Sequence, residues 1–249
     1  MAFDRAGEVN ELQRFAPIIS GTARALLVGG QAVNLWCLWS SEHFEDSASE
    51  LIKWLPFTSK DCDVIGDLDL LREMSQLANL PMRAFRFGQA TNLIGYRHHP
   101  ATPETPFVEV LGGICGMSHA DIQKGITEVT FESNLYRTLS PVAMLKAKLA
   151  NVATIPQEKR QDLRHVQMLI PCVRAYITYA HRQAEEGAQT ASFVKKMLTR
   201  TLDIVKSPHG VLTQQTHGAK LRNCFPVKLL ENSAFASVRN FVDHQITKL

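Results

Sequence analysis

Residues 25–40, ALLVGGQAVNLWCLWS, constrain the fold of this chain more than any other stretch. Ala25 to Val28 form a short apolar run closed by Gly29 and Gly30. From Gln31 to Ser40 the apolar residues Ala32, Val33, Leu35, Trp36 and Trp39 recur at helical spacing. The run predicts a strand, a glycine turn and a helix. Such a unit presents backbone N–H groups and the positive end of a helix dipole at the turn, which together suit a phosphate chain. A glycine pair after a strand is also an ordinary tight turn, and this run by itself does not choose between the two.

The remaining pattern splits the chain in two. Asp61-Cys62-Asp63-Val64 alternates polar and apolar as a half-buried strand does. Gly66-Asp67 opens a helix expected to reach Leu80, with Asp67 capping its first turn and Pro81 stopping it. Further strands are expected at Ala84–Phe87, at Phe107–Leu111 between Pro106 and Gly112-Gly113, and at Ile126–Phe131. From Ser140-Pro141 onward the pattern is helical, with helices expected at 142–153, at 158–181 with Pro171 as a break point, at 190–205 and at 226–247. The fold class is therefore α+β: a mixed sheet with flanking helices over residues 1–136, then a helical domain over 137–249.

Charge divides at the same place. Residues 1–136 carry ten Lys or Arg against seventeen Asp or Glu, and residues 137–249 carry seventeen against seven. A basic half attracts phosphate or nucleic acid, or else complements the acidic half across their contact. No run approaches the roughly 18 apolar residues of a membrane span, and MAFDRAGEVNELQRF lacks the layout of a signal peptide, so a soluble cytoplasmic protein is expected. The five cysteines form no C-x-x-C pair and read as reduced thiols. His98-His99 reads as part of a loop rather than a metal site.

The chemistry concentrates in three acids. A two-residue period puts Asp61 and Asp63 on one face of their strand, with Cys62 and Val64 turned to the core. Two adjacent carboxylates repel unless a cation sits between them, and hard oxygen ligands select Mg2+ or Mn2+; otherwise they are solvent-facing acids on an edge strand. Glu109 stands within the apolar run FVEVL, where an unpaired carboxylate is expensive to desolvate. If its strand lies beside that of Asp61, the three acids can hold two ions, one on a phosphate chain and one on an acceptor hydroxyl. Ser59 and Lys60, directly before Asp61, are placed to touch phosphate or base, or to form a solvated turn. Asp67 and Asp69 repeat the Asp-x-Asp spacing, but their position at a helix start reads as capping.

With VGGQAVNLW, SKDCDVIGD and FVEVL in place, the sequence resembles the nucleotidyltransferase superfamily with its polymerase-beta-like fold. The resemblance covers about residues 20–170. It implies a mixed-sheet catalytic domain, Gly29 and Gly30 on the phosphates of a nucleoside triphosphate, and Asp61, Asp63 and Glu109 as metal ligands. The stretch SPVAMLKAKLANVATIPQEKRQDLRHVQML is similar to the AbiEii-like branch, which includes toxins of toxin–antitoxin pairs. By that register Lys148 matches the phosphate-contacting lysine, with Lys146 as the alternative, and Asp162 matches the acid of the last motif. Two departures stand out. The gap from Gly30 to Asp61 carries an extra segment, SSEHFEDSASELIKWLPF, and His165 replaces an acid three positions after Asp162.

The function expected is metal-dependent transfer of a nucleotide from a nucleoside triphosphate to a hydroxyl of RNA, tRNA or protein. The alternatives are an inactive protein of the same fold that binds nucleic acid or a protein partner, and a phosphohydrolase using the same metals with water as acceptor.

Overall fold

The computed structural model describes residues 11–20, 22–59, 61–77, 82–85, 92–97 and 107–249. After helix α1 (Glu11–Ile19), strand β1 (Leu26–Val28) runs without a loop into α2 (Gly29–His43). The glycine pair expected as a turn is thus the start of the helix itself. Val28 is its extended N-cap, and no side chain caps the first amides. The extra segment that follows is largely helical. It contains α3 (Glu45–Leu51) and a 3-10 turn at Ile52–Trp54, and it packs along a later helix before β2 (Asp61–Ile65) begins.

Next comes α4 (Leu68–Leu77), whose N-terminus Asp67 caps by accepting from the Leu70 N–H at 2.9 Å. Residues 78–81, the expected end of this helix, lie outside the described residues, as do His98-His99. The strand expected at Ala84–Phe87 is β3 (Met82–Ala84), earlier and shorter than expected, and residues 86 and 87 lie outside the described residues. The strands β4 (Leu93–Arg97) and β5 (Phe107–Leu111), the helix α5 (His119–Gly125), and the hairpin β6 (Ile126–Phe131) and β7 (Asn134–Leu139) complete the first half.

Among the described residues these strands form one seven-stranded mixed sheet in the order β3-β4-β5-β2-β1-β7-β6. β1 runs antiparallel to β2 and parallel to β7, and β2 runs parallel to β5. The β2–β5 pairing sets Asp63 beside Glu109, and the β1–β2 pairing sets Val28 beside Asp63. Asp61 and Asp63 are therefore fixed on the strand next to the one that feeds the glycine pair, and Glu109 lies one strand further out.

The helical half holds α6 (Pro141–Thr154), α7 (Asp162–Glu185), α8 (Ala191–Lys206), α9 (Pro208–His217), α10 (Val227–Glu231) and α11 (Ala236–Phe241). Ser140 caps α6 ahead of Pro141, as the Ser-Pro pair predicts. α7 passes Pro171 unbroken. The lost backbone hydrogen bond is outweighed by packing, for Leu169, Ile170, Cys172 and Val173 are all buried around it. The helix expected over 226–247 is instead α10, α11 and a π-turn at Val242–Ile246. Ser233 ends the first piece: its hydroxyl bonds His181 Nε2 at 2.7 Å and accepts from the Phe235 N–H, drawing the backbone out of the helical ladder.

A continuous set of buried side chains joins the two halves, from Leu27 and Val28 on β1 through Val33, Leu35 and Trp36 on α2 to Leu145, Leu149, Val166 and Leu169. Tyr136, where the sequence changes character, sits within β7 and is itself buried. Trp36 locks the join by donating its indole N–H to the Leu139 carbonyl at 2.8 Å. Truncating such a fully buried aromatic to Ala costs about 3–5 kcal/mol.

Candidate active site

The alternation in β2 works as the sequence predicts: Cys62 and Val64 have no exposed surface, while Asp61 and Asp63 are partly open on the other face. Val108 and Val110 flank Glu109 in the same way on β5. One oxygen from each of Asp61, Asp63 and Glu109 lies within 4.8 Å of the others, a cluster that can hold a metal ion.

Close approach explains both glycines. Gly29 has φ +68, and a Cβ there would fall 1.9 Å from Asp63 Oδ2. A Cβ on Gly30 would fall 2.2 Å from Ser59 Oγ. The start of α2 is therefore pressed against the acids, with its uncapped amides beside them. Ser59 closes the other side: its hydroxyl donates to Asp61 Oδ1 at 3.1 Å, and its carbonyl accepts from Gln31 Nε2 at 2.9 Å. Lys60 lies outside the described residues.

The electrostatics are those of crowded, partly buried acids. Burial, and then the charges of Asp61 and Glu109, push the Asp63 carboxyl up to about 7 against the pull of Lys148. Burial and Asp61 raise Glu109 as well. A hydrogen bond between Asp63 and Glu109 favours the proton on Asp63. Carboxylates whose protons are held by burial and then by mutual repulsion become strong ligands once a divalent cation takes the proton's place.

Across from this cluster lies a second one of opposite character. The Lys148 ammonium donates to Asp162 Oδ1 at 2.8 Å, Asn151 Nδ2 donates to the same oxygen at 3.1 Å, and Arg160 Nε donates to Oδ2 at 2.7 Å. Burial alone would raise the Asp162 carboxyl, but the Lys148 charge and these bonds overcome it and hold the group down at about 2. Lys148 and Asp162 are both buried, and the Lys148 charge reaches Asp63 and His165. Lys146 points elsewhere, to an exposed ion pair with Asp121 at 3.0 Å. Of the two lysines, Lys148 is the one whose charge reaches Asp63, and Asp162 holds its ammonium.

His165 sits on the first turn of α7, 95% buried by its 5% exposure, and its Cε1 would lie 3.4 Å from a Cβ on Gly30. Burial, with the Lys148 charge, lowers it to about 3, so the ring is neutral. Neither ring nitrogen has a hydrogen-bond partner among the described residues.

Five participants escaped the sequence reading. Asn151 stands three residues after Lys148, on the same helical face, and Arg160 precedes Asp162 by two, so local spacing carries a signal for both. Gln31, on the first turn of α2, supports Ser59 with no such signal. Arg164 ties the extra segment to α7 through the carbonyls of Trp54 and Pro56, the latter at 2.9 Å. Arg174 adds an ion pair to Glu50. The segment thus steers the chain to Ser59. No helix among the described residues is long and apolar enough to cross a membrane. No family model matches the chain, and no curated protein matches it in sequence.

Proposed function

We propose that the protein is a metal-dependent nucleotidyltransferase that moves a nucleotide from a nucleoside triphosphate to a hydroxyl group. The observation that carries this reading is the junction of Gly29 with Asp63, which sets uncapped helix amides and three clustered carboxylates side by side.

Asp61, Asp63 and Glu109 would hold Mg2+ or Mn2+, which when bound neutralises phosphate charge and lowers the barrier to in-line attack. The chain's own groups supply the rest. The amides at Gly29 and Gly30, with the α2 dipole, orient the triphosphate. Lys148, held in place by Asp162, adds a fixed positive charge beside the transferred phosphoryl group, and Ser59 keeps the Asp61 carboxylate turned inward. In the transfer, the acceptor oxygen bonds to the α-phosphorus, the bond from that phosphorus to the bridging oxygen breaks, and pyrophosphate leaves. The acceptor proton passes to a carboxylate of the cluster, with Glu109 in position to take it.

The test is incubation of the full chain with each α-labelled nucleoside triphosphate, Mg2+ or Mn2+ and a cell extract. Label should appear in a macromolecule with wild-type protein and be absent with Asp61→Asn/Asp63→Asn. Lack of transfer from all four nucleotides, together with lack of metal-dependent nucleotide binding, sinks the reading.

A further inference from the structure

A second charged feature lies outside this site. Ser192, Lys195, Lys196, Thr199 and Arg200 recur along α8 at intervals of three and four, so they form one stripe on the outward face, while Val194, Leu198 and Leu202 turn inward. With Lys124 at the end of α5 and Thr127 on β6, the stripe lines a cavity of about 590 Å3. No carboxylate lines it, and none of the three clustered acids, Lys148 or Asp162 does so.

The four cations, Lys124, Lys195, Lys196 and Arg200, make no ion pair among the described residues. Arg200 Nη1 donates to the Lys124 carbonyl at 3.0 Å, which ties the two walls together. Acids do occur close by, in an adjoining cavity of about 350 Å3 lined by Asp121 and Asp203. Asp121 there is already occupied by Ser118 and Lys146. Asp203 lines that adjoining cavity with Lys124 and Arg200 but pairs with neither, so the positive charge of both walls is left for a ligand from outside.

We propose that this cleft binds the phosphate backbone of a nucleic acid. Eight residues of α8 span about 12 Å, the axial reach of about three phosphates on one strand. The Ser192 hydroxyl, one turn before Lys195 and Lys196, is an additional phosphate donor, while the Thr199 hydroxyl is engaged by the Lys195 carbonyl at 3.0 Å. Phe193, 38% exposed at the rim, offers a ring on which a base can stack. An acidic peptide would use the same cations, and competition by polyglutamate separates it from a nucleic acid. Backbone binding by this wall needs neither metal nor nucleotide; only the further identification of the bound strand as the acceptor rests on the nucleotidyl-transfer reading above.

Fluorescence anisotropy of a labelled RNA hairpin against the full chain in EDTA tests the proposal. Between about 50 and 200 mM salt the affinity should fall by about a hundredfold, as expected for four phosphate contacts. Lys195→Gln/Lys196→Gln should weaken binding at least about tenfold and flatten the logarithmic salt slope by about two. In wild-type protein the hairpin should shield Lys124, Lys195 and Lys196 from acetylation, a readout that needs no substitution. Asp61→Asn/Asp63→Asn should bind like wild type. An unchanged salt slope in the double lysine variant, unshielded lysines, or displacement of the hairpin by polyglutamate at equal concentration overturns the proposal. RNA binding by the lysine stripe in a protein that transfers no nucleotide would overturn the catalytic reading and leave this one standing.

Discussion

Asp63, partly shielded from water, and Asp162, buried, both lie within reach of Lys148, yet their surroundings push them in opposite directions. Asp63 lies among other carboxylates and holds its proton up to about 7. Asp162 accepts from Lys148, Asn151 and Arg160 and is ionised down to about 2. Burial raises both, so the partners decide the outcome. A carboxylate surrounded by donors is finished structure. One surrounded by acceptors is incomplete, and completing it is what the cluster is built for.

The largest effect should come from breaking the incomplete side. Asp61→Ala or Asp63→Ala removes metal ligation worth several kcal/mol of barrier and should lower nucleotide transfer by at least roughly a thousandfold, measured as labelled product per unit time. The fold should survive. On the finished side the balance reverses: Asp162→Ala leaves the Lys148 ammonium buried without its acceptor and should cost about 3–5 kcal/mol in urea unfolding. Replacing both, with Lys148→Met and Asp162→Leu, should recover most of that stability while leaving transfer impaired.

Acid titration sharpens the contrast without a variant. The folded Asp63 carboxyl sits above its ordinary 3.8, so between these values the native state holds a proton that the unfolded chain has released. Metal-free protein should therefore lose stability as pH rises from about 4 to about 7, by about 2 kcal/mol once the partial exposure of the group is allowed for. Asp63→Asn should flatten that window. Asp162 has the opposite sign: its contribution is present above 3.8 and lost as pH falls toward about 2. Unfolding in EDTA across both windows separates the two. The smallest effect is expected at Lys146, whose exposed pair with Asp121 should contribute less than about 0.5 kcal/mol; Lys146→Ala should leave transfer near wild type.

The two sides also differed in how far the sequence disclosed them. Asp61, Asp63 and Glu109 were visible because strand period and an acid in an apolar run are local signals. The strand order that brings β2 beside β5 was needed to join them. Lys148 could not be separated from Lys146 by helical spacing, since both flank the apolar stripe of α6; Asp162, fourteen residues on, separates them in space. β4 and β7 were missed although they are as long as the strands that were expected; their places are set by pairing with β5 and with β1 and β6. The end of the chain was misread because a single hydroxyl, Ser233, outweighs its helical pattern by bonding His181.

The central claim is that the three acids form a divalent-metal site, and a manganese titration followed by electron paramagnetic resonance reads it directly. Wild-type protein at neutral pH should take up Mn2+ saturably, with urea stability rising as the site fills, and Asp61→Asn/Asp63→Asn should do neither while remaining folded. Absence of saturable uptake by wild-type protein, or uptake unchanged in that variant, would contradict the account.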